Sequence, residues 1–267
     1  TGTMNIELAF LGTGTCNSSG RNPASFALSN GSEVVLLDAG GGAYHQLSRL
    51  ESPAFNYKNI STIFISHFHV DHISGLPDLL WGEMWDSTGR RENPLIIAGP
   101  HGLRNFYNER LLPFMGDYPL PFEIQLIELS HGETFSGSFF TATSHHLEHG
   151  EFSTGYLFDF SGKCLAYTGD TGYCDNLIEL IKKADSAIIE WSISDYASYP
   201  GHLSSSDFAK LIKLGIFPGT VYINHMYIPS GSTYEFQVKK NREILGDFSE
   251  RVIFPQDLDI ITIKEKG

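Results

Sequence analysis

Short apolar or alternating segments recur along the whole chain, separated by turns rich in Gly, Pro, Asn, Asp and Ser. Runs of about four to eight such residues between turn-forming residues are typical of β-strands. Strands are therefore predicted at residues 6–11, 25–28, 33–37, 62–65, 95–98, 122–129, 138–143, 155–160, 164–168, 187–190, 221–224, 251–254 and 260–263.

Helical spacing of apolar residues is confined to fewer segments between these strands. Helices are predicted at residues 43–50, 76–85, 102–112, 176–183, 204–214 and 235–244. Ser204 and Ser205 can cap the fifth of them. This mixture is typical of the α/β class, with two sheets packed face to face and helices outside. No Pro/Ser linker divides the chain, so residues 1–267 are expected to form one domain.

Composition narrows the classes of function. The 267 residues are 41% hydrophobic, enough for a sizeable core. The formal net charge is −13, from 31 acidic and 18 basic residues. Because a broad nucleic-acid surface needs basic residues to neutralise phosphates, nucleic acid is not an expected partner.

The three cysteines are odd in number and form no C-x-x-C pair. A disulfide framework is therefore not expected, whereas a reducing, cytoplasmic compartment is. The chain contains no run of about 18 apolar residues, so no membrane association is predicted.

Four potential metal ligands directly follow the apolar run at residues 60–66, namely His67, His69, Asp71 and His72. Imidazole and carboxylate groups suit zinc, manganese and iron. Residues two apart in an extended stretch share a side, so His67 and His69 can hold one ion. Asp71 and His72 lie beyond the bend and can serve a second. The alternative is a histidine-rich surface turn, but no packing need calls for this spacing.

The segment His67-Phe-His69-Val-Asp71-His72 resembles the signature loop of the metallo-β-lactamase fold, and the resemblance covers nearly the whole chain. It continues in order through Leu11-Gly-Thr-Gly-Thr15, Arg21, Leu36-Leu-Asp38-Ala-Gly-Gly-Gly42, Tyr167-Thr-Gly-Asp170-Thr171, Gly201-His202-Leu-Ser204 and Ile223-Asn-His225. The pattern is most similar to the ribonuclease Z and small phosphodiesterase branch. This resemblance implies a four-layer αββα sandwich.

It also implies two divalent metal ions, expected to be zinc, with manganese or iron as alternatives. The implied ligands of the first ion are His67, His69 and His149. Those of the second are Asp71, which is also counted as catalytic, His72 and His225. Asp170 would bridge the ions and reduce their mutual repulsion. A water shared between them would lose a proton near neutral pH and become the nucleophile.

The third histidine ligand is ambiguous, because His145, His146 and His149 stand close together. In the related enzymes this ligand lies six residues before a Gly-Tyr pair. Gly155-Tyr156 is such a pair, so the resemblance favours His149, with His146 as the alternative.

Two outer roles complete the implied site. Asp38 is a candidate to accept the second N–H of a ligand histidine, and a helix N-cap is its alternative role. His202, supported by Glu190, resembles the histidine that helps to protonate the leaving group in the ribonuclease Z branch. A carboxylate beside an imidazole favours the proton-donating form. A helix-start histidine bonded to local backbone is the alternative for His202.

The chain also departs from the family pattern. Ribonuclease Z enzymes carry a long insertion that clamps transfer RNA between the third histidine and the bridging aspartate. Here His149 and Asp170 are only 21 positions apart, so no room remains for such an arm. His69 stands where redox relatives have glutamate, and Asp170 stands where true β-lactamases commonly have cysteine. The first difference favours hydrolysis over redox chemistry, and the second argues against antibiotic hydrolysis.

The leading hypothesis is therefore a dinuclear metal-dependent hydrolase of a small anionic phosphodiester. The alternatives are hydrolysis of an aryl sulfate, carboxylic ester or lactone, ribonuclease Z-like RNA processing, and a non-catalytic sensor. A homodimer is a candidate assembly. Arg21 is a candidate to contact an anionic group. The aromatic residues that could stack on the substrate, or pack in the core or at the rim, are Trp81, Trp85, Trp191, Tyr196 and Tyr199.

Overall fold

Two sheets of seven strands each form the centre of the molecule in the computed structural model, which describes residues 5–89, 91–116 and 118–263. The first sheet contains β1 (Ile6–Gly12), β2 (Ser25–Ser29), β3 (Val34–Leu37), β4 (Ile60–Phe64), β5 (Leu95–Gly99), β6 (Ile124–Glu128) and β14 (Ile260–Ile263). The second contains β7 (Thr134–Ser136), β8 (Thr141–His146), β9 (Thr154–Asp159), β10 (Cys164–Tyr167), β11 (Ser186–Glu190), β12 (Thr220–Asn224) and β13 (Val252–Ile253).

Helices cover the outer faces. They are α1 (Ala43–Arg49), α2 (Val70–Ile73), α3 (Leu76–Met84), α4 (Leu103–Phe106), α5 (Leu112–Met115), α6 (Asp175–Lys182), α7 (Ser205–Leu214) and α8 (Tyr234–Leu245). Short 3₁₀ turns occupy Pro53–Phe55, Tyr57–Asn59 and Gly246–Arg251. Within the described ranges, no helix combines the length and apolar character needed to cross a bilayer.

The two halves of the chain repeat one plan. In the first sheet, β14, β1, β2 and β3 pair antiparallel, and β3, β4, β5 and β6 pair parallel. In the second sheet, β7 to β10 pair antiparallel, and β10 to β13 pair parallel. The carboxyl ends of parallel strands lie at one edge of a sheet, so the loops that follow them can converge on a site.

Three apolar clusters hold these layers together. The first, with Phe10, Phe26, Phe64 and Phe158, contains side chains from both sheets and lies between them. The second joins the first sheet to α1, α3 and α4, and the third joins the second sheet to α6 and α7. This arrangement confirms the four-layer αββα sandwich.

The strand predicted at residues 138–143 is misplaced. Its two phenylalanines, Phe139 and Phe140, are buried in the core, but they lie in the turn that joins β7 to β8. The backbone N–H of Gly137 donates to the carbonyl of Phe140 at 2.9 Å and closes this turn. An apolar pair indicates burial but not strand, so β7 was missed and β8 runs later than predicted.

Two helical features also differ from expectation. The helix predicted at residues 102–112 is divided into α4, a π-helical turn at Tyr107–Leu111, and α5. The short helix α2 was not predicted, because its four residues include the ligands Asp71 and His72 and show no apolar period. A single turn carries too few positions for periodicity to be detected.

Phe158 provides a test of the core between the sheets. Its ring lies 5.0 Å from that of Phe64 and 5.7 Å from that of Phe140, centroid to centroid. Phe158→Ala should lower the free energy of unfolding by about 3–5 kcal/mol, because it leaves a cavity. Phe114→Ala, at a position 77% exposed, should change it by less than about 0.5 kcal/mol. Urea denaturation measures both values, and similar losses would contradict this description of the core.

Candidate metal centre

A change of backbone conformation in the loop after β4 divides the four predicted ligands there into two pairs. His69 is extended, with φ −69° and ψ 147°, and α2 begins at the next residue. His67 and His69 therefore lie on the extended side of the bend, while Asp71 and His72 lie on the helix. This geometry places the two pairs in different positions, as the sequence predicts.

The other three predicted ligands come from the second half of the chain. His149 follows β8, Asp170 follows β10 and His225 follows β12. Gly169 allows Asp170 to approach the first half, because a Cβ at Gly169 would lie 2.5 Å from the Cβ of Ser66. Gly169 also has φ +56°, which glycine adopts without strain.

One group of ligand atoms surrounds Oδ2 of Asp170. Nε2 of His67 lies 3.8 Å from this oxygen, and Nε2 of His149 lies 3.7 Å from it. Nε2 of His149 is also 3.0 Å from Nδ1 of His69. The candidate ligand atoms of these four residues all lie within 4.8 Å of one another.

A second group lies directly beside the first. Nε2 of His225 is 3.2 Å from Oδ2 of Asp71 and 3.4 Å from Oδ2 of Asp170. Nε2 of His72 is 3.3 Å from Oδ1 of Asp170. The candidate ligand atoms of Asp71, His72 and His225 likewise lie within 4.8 Å of one another. Because His72 and His225 also approach the Asp170 carboxylate, Asp170 faces both groups.

The spacing of these atoms suits coordination of a cation better than hydrogen bonding among the side chains themselves. Among the described residues, Nε2 of His67, Nε2 of His72 and Oδ1 of Asp170 are buried without a hydrogen-bond partner. Leaving such groups unsatisfied costs free energy. Two ligand atoms of one tetrahedral zinc ion are about 3.3–3.5 Å apart, which is close to the distances between the Asp170 oxygens and the histidine nitrogens. The donor set therefore fits divalent metal ions.

Asp38 orients ligands in the first half. Its carboxylate accepts hydrogen bonds from Nδ1 of His72 at 2.7 Å and from Oγ of Ser66 at 2.6 Å. Ser66 Oγ in turn accepts from Nδ1 of His67 at 2.9 Å. The hydroxyl of Tyr167 also donates to Asp38. The alternative role of Asp38 as a helix N-cap is wrong, since Gly42 occupies the N-cap of α1.

The predicted histidine ligands in the second half of the chain are held by similar hydrogen bonds to their Nδ1 atoms. Nδ1 of His149 donates to the carbonyl of Gly201 at 2.5 Å, and Nδ1 of His225 lies 3.0 Å from Oγ of Ser192. Such partners fix the ring so that Nε2 faces the metal. His225 also has φ +58°, an uncommon value for a residue other than glycine.

Glu190 and His202 form a buried pair beside the second group. Nδ1 of His202 donates to Oε1 of Glu190 at 2.8 Å. The Glu190 carboxylate also accepts from the backbone N–H of Thr171 at 2.9 Å and of Ser192 at 3.0 Å. The imidazole is therefore held by a fixed carboxylate, and its Nε2 is left for another partner.

Burial and neighbouring charges prepare the histidines for different roles. Burial lowers the pKa of His67 and of His149, which favours the neutral, metal-binding imidazole. Burial also opposes the charged form of His202, but the hydrogen bond that His202 donates to Glu190 and the negative charges of Glu190 and Asp170 together outweigh burial and raise the pKa of His202. Burial likewise opposes the charged form of His72, yet Asp170 and Asp38 raise its pKa well above the usual value.

His202 has a second geometric possibility. Asp170, His202 and His225 form a further group whose ligand atoms also lie within 4.8 Å of one another. The ring of His202 lies 4.6 Å from that of His149 and 5.8 Å from that of His225. Position alone is therefore compatible with either proton transfer or metal binding by His202.

Other candidate residues lie outside the centre. His146 is exposed, and its backbone N–H donates to Nδ1 of His131 at 3.1 Å, so His149 rather than His146 is near Asp170. Arg21 donates to Oγ1 of Thr13 at 2.6 Å and stacks over Tyr234. Its guanidinium is therefore used in internal contacts.

The aromatic candidates divide into three sets. Trp191 is buried and stacks on Phe208 at 3.8 Å, so it belongs to the core. Trp81 and Trp85 are exposed and contact Tyr118. Tyr196 and Tyr199 are also exposed, and only Tyr199 is near the site, with its ring 6.0 Å from that of His202.

Sequence reasoning missed three aromatic residues at the centre. Tyr227 lies edge-on to His225 and His202, at ring distances of 5.6 and 6.0 Å. Phe68 stands between two ligands in the sequence, and Phe152 follows His149 by three positions. Their closeness to ligand motifs was the available signal, but it does not indicate which way a ring points.

The αββα sandwich and the ligands at its strand ends define a metal-dependent hydrolase of the metallo-β-lactamase fold. Residues 33–226 match the family model described as "Beta-lactamase superfamily domain". The chain belongs to this superfamily.

Two relatives and one solved structure illustrate the similarity. Ribonuclease BN of Escherichia coli O1:K1 is 30% identical over 284 positions, covering 83% of this chain and 89% of that protein. Ribonuclease Z of Methanosarcina acetivorans is 27% identical over 262 positions, covering 78% and 83%. The metallo-β-lactamase fold protein YhfI of Bacillus subtilis has a TM-score of 0.77 at 17% identity, covering 97% and 100% of the two chains.

The arrangement predicts two metal ions per chain. Elemental analysis of protein purified without chelator should find about two equivalents of zinc, manganese or iron. Asp170→Asn should reduce the content of both ions, because the charge that faces both groups is lost. Glu83→Gln is the matched control, since Glu83 is a buried carboxylate paired with Arg91 elsewhere. A wild-type content that stays at one equivalent after reconstitution would contradict the shared role of Asp170.

Proposed function

We propose that this protein is a dinuclear metal-dependent phosphodiesterase that hydrolyses a small phosphodiester. The observation that carries the proposal is the position of Asp170, whose two carboxylate oxygens face two adjacent ligand groups. Two-metal sites of this kind hold both the attacking and the leaving oxygen of a phosphoryl displacement.

The ligand roles follow the two groups. We assign His67, His69 and His149 to one ion, Asp71, His72 and His225 to the other, and Asp170 to both. Bound there, divalent cations would activate water and neutralise charge on the phosphoryl oxygens. Asp38 keeps His72 and, through Ser66, His67 in the orientation that this binding needs.

Asp71 and His202 are proposed to handle protons. Burial opposes ionisation of Asp71, but the hydrogen bond from His225 and the charges of His72 and His225 together lower its pKa to about 2, so it is ionised at neutral pH. It can therefore accept a proton from the attacking water. His202 would donate a proton from Nε2 to the leaving oxygen, while Glu190 holds Nδ1.

Three observations support a small substrate over a transfer RNA. The 21 positions from His149 to Asp170 are used by β9, β10 and their tight turn, where Ser161 has φ +60° and Gly162 φ +102°. The alignment with ribonuclease BN spans 284 positions, more than this whole chain, so the relative has segments absent here. The net charge of −13 also disfavours a polyanion.

RNA cleavage is the second candidate function, because the curated relatives are named ribonuclease Z and ribonuclease BN. Both candidates break a phosphodiester bond and would use the same ligands. They differ in the surface that must hold the substrate.

The cytoplasmic location and a homodimer remain predictions.

Substrate size separates the two candidates. Metal-loaded protein should hydrolyse bis-p-nitrophenyl phosphate and leave a 3′-extended transfer RNA intact under the same conditions. Aryl sulfate, carboxylic ester and lactone substrates tested in parallel address the other ester hypotheses. Efficient trimming of the RNA at one site would replace the small-diester proposal with the ribonuclease function.

His202 offers a test that separates proton donation from metal binding. His202→Ala should keep both metal equivalents and slow hydrolysis by roughly 10²–10⁴-fold for diesters with poor leaving groups. The loss should be smaller for p-nitrophenolate, which leaves without a proton. Glu190→Gln should show a milder form of the same dependence. Steady-state kinetics across a leaving-group series, with metal analysis of each variant, measures this.

Two results would change the role of His202. Loss of one metal equivalent in His202→Ala would make His202 a ligand, as its position near Asp170 and His225 allows. Equal slowing for every leaving group would make it a substrate-binding residue.

A further inference from the structure

A cleft of about 660 Å³ opens directly beside the first ligand group. Its lining includes the histidines His67, His69 and His149 and the aromatic residues Phe68, Phe106 and Phe152. Both ligand loops thus contribute an aromatic ring next to their histidines.

The rings form a surface suited to a flat ligand. Phe68 stacks on Phe106 with centroids 5.0 Å apart and planes 21° apart. Phe152 lies 6.4 Å from Phe68 and edge-on to it. Phe68 and Phe152 are only partly buried, so each has ring surface open to the cleft. Aromatic rings gain stability from both stacked and edge-on contacts with a further ring.

Gly102 keeps the space between these rings open. A Cβ at Gly102 would lie 3.6 Å from the ring of Phe68 and 3.8 Å from that of Phe152. Its φ of +93° is also unsuited to other residues. A larger side chain at this position would therefore occupy the volume where a flat ligand could lie.

The proposed proton donor approaches the centre among residues that do not line the cleft. Among the described residues, His202 does not line the cleft, although its ring contacts that of His149. His202 reaches the centre from the side of Glu190 and Tyr199. A leaving group that takes its proton from His202 would depart on that side. The substituent that stays on phosphorus would then extend toward Phe68 and Phe152.

We propose that this cleft binds a planar aromatic ring on the ester group retained by phosphorus, so that the substrate is a diester with an aryl or nucleoside substituent. The inference rests on the proposed phosphodiesterase function and names the substrate class of that site. An aryl group and a nucleobase present the same flat, polarisable surface. A comparison of diesters that carry a phenyl or a thymidyl group distinguishes the two.

The test uses three diesters with one leaving group, p-nitrophenolate, and a different retained group: methyl, phenyl or 5′-thymidyl. Wild-type protein should prefer phenyl or thymidyl to methyl in kcat/KM, and the better of the two identifies the source of the ring. Phe152→Ala should raise KM for that substrate by about 3- to 10-fold, with kcat nearly unchanged, because a ring contact is lost. The methyl diester should be unaffected.

Two variants control for packing. Phe152→Leu keeps apolar volume without a ring and should show most of the KM increase, which a structural role would not produce. Phe114→Ala removes an exposed phenylalanine that does not line the cleft and should behave as wild type. Phe68 is left intact, because it stands between two ligands. Thermal unfolding and metal analysis should be unchanged in all variants.

Calorimetry separates failure of this inference from failure of the proposed function. Metal-loaded protein should bind phenylphosphonate more tightly than methylphosphonate, and Phe152→Ala should remove the difference. If no diester is hydrolysed but this preference holds, the phosphodiesterase proposal fails and the aromatic cleft stands. Equal binding of the two phosphonates would overturn the cleft. A KM increase for the methyl diester in Phe152→Ala would place the leaving group there and overturn the proposed orientation.

Discussion

The carboxylate of Asp170 is the constraint on which the rest of the site depends. It is buried, and its oxygens face four imidazole nitrogens at 3.3–3.8 Å, too far apart for short hydrogen bonds. Removing a charge from water is costly unless an opposite charge lies beside it. Divalent cations bound by the two ligand groups would supply that charge, which the polypeptide alone does not provide.

Two further buried carboxylates maintain this arrangement by accepting hydrogen bonds from Nδ1 of histidines whose Nε2 atoms face the centre. Asp38 follows β3 and Glu190 ends β11, and each accepts hydrogen bonds from a histidine and from at least one backbone N–H. The two carboxylates act on different rings. Asp38 fixes histidines that face Asp170, whereas Glu190 fixes the histidine proposed to donate a proton. Environment, rather than residue type, distinguishes their roles.

Much of this could be predicted from the sequence because strands and ligand motifs alternate along it. The apolar run before His67 predicted β4, and the residue types that follow it indicated metal binding by themselves. The position of Phe139 and Phe140 in a turn could not be predicted, since burial alone does not specify backbone conformation. The π-helical turn at Tyr107–Leu111 has no local signal either. The choice between substrate stacking and packing for the five aromatic candidates could not be made from the sequence, because a ring's direction depends on tertiary packing.

The repeated plan of the two halves has a mechanical consequence. Each ligand group is drawn from both sheets: His67 and His69 face His149 and Asp170, while Asp71 and His72 face His225. An ion held in either group therefore fastens one sheet to the other at the rim, and its binding free energy adds to their association. The phenylalanine-rich interior joins the same sheets without metal. The apolar interior would therefore hold the two sheets together whether or not metal is bound, whereas bound metal would add a second connection at the rim.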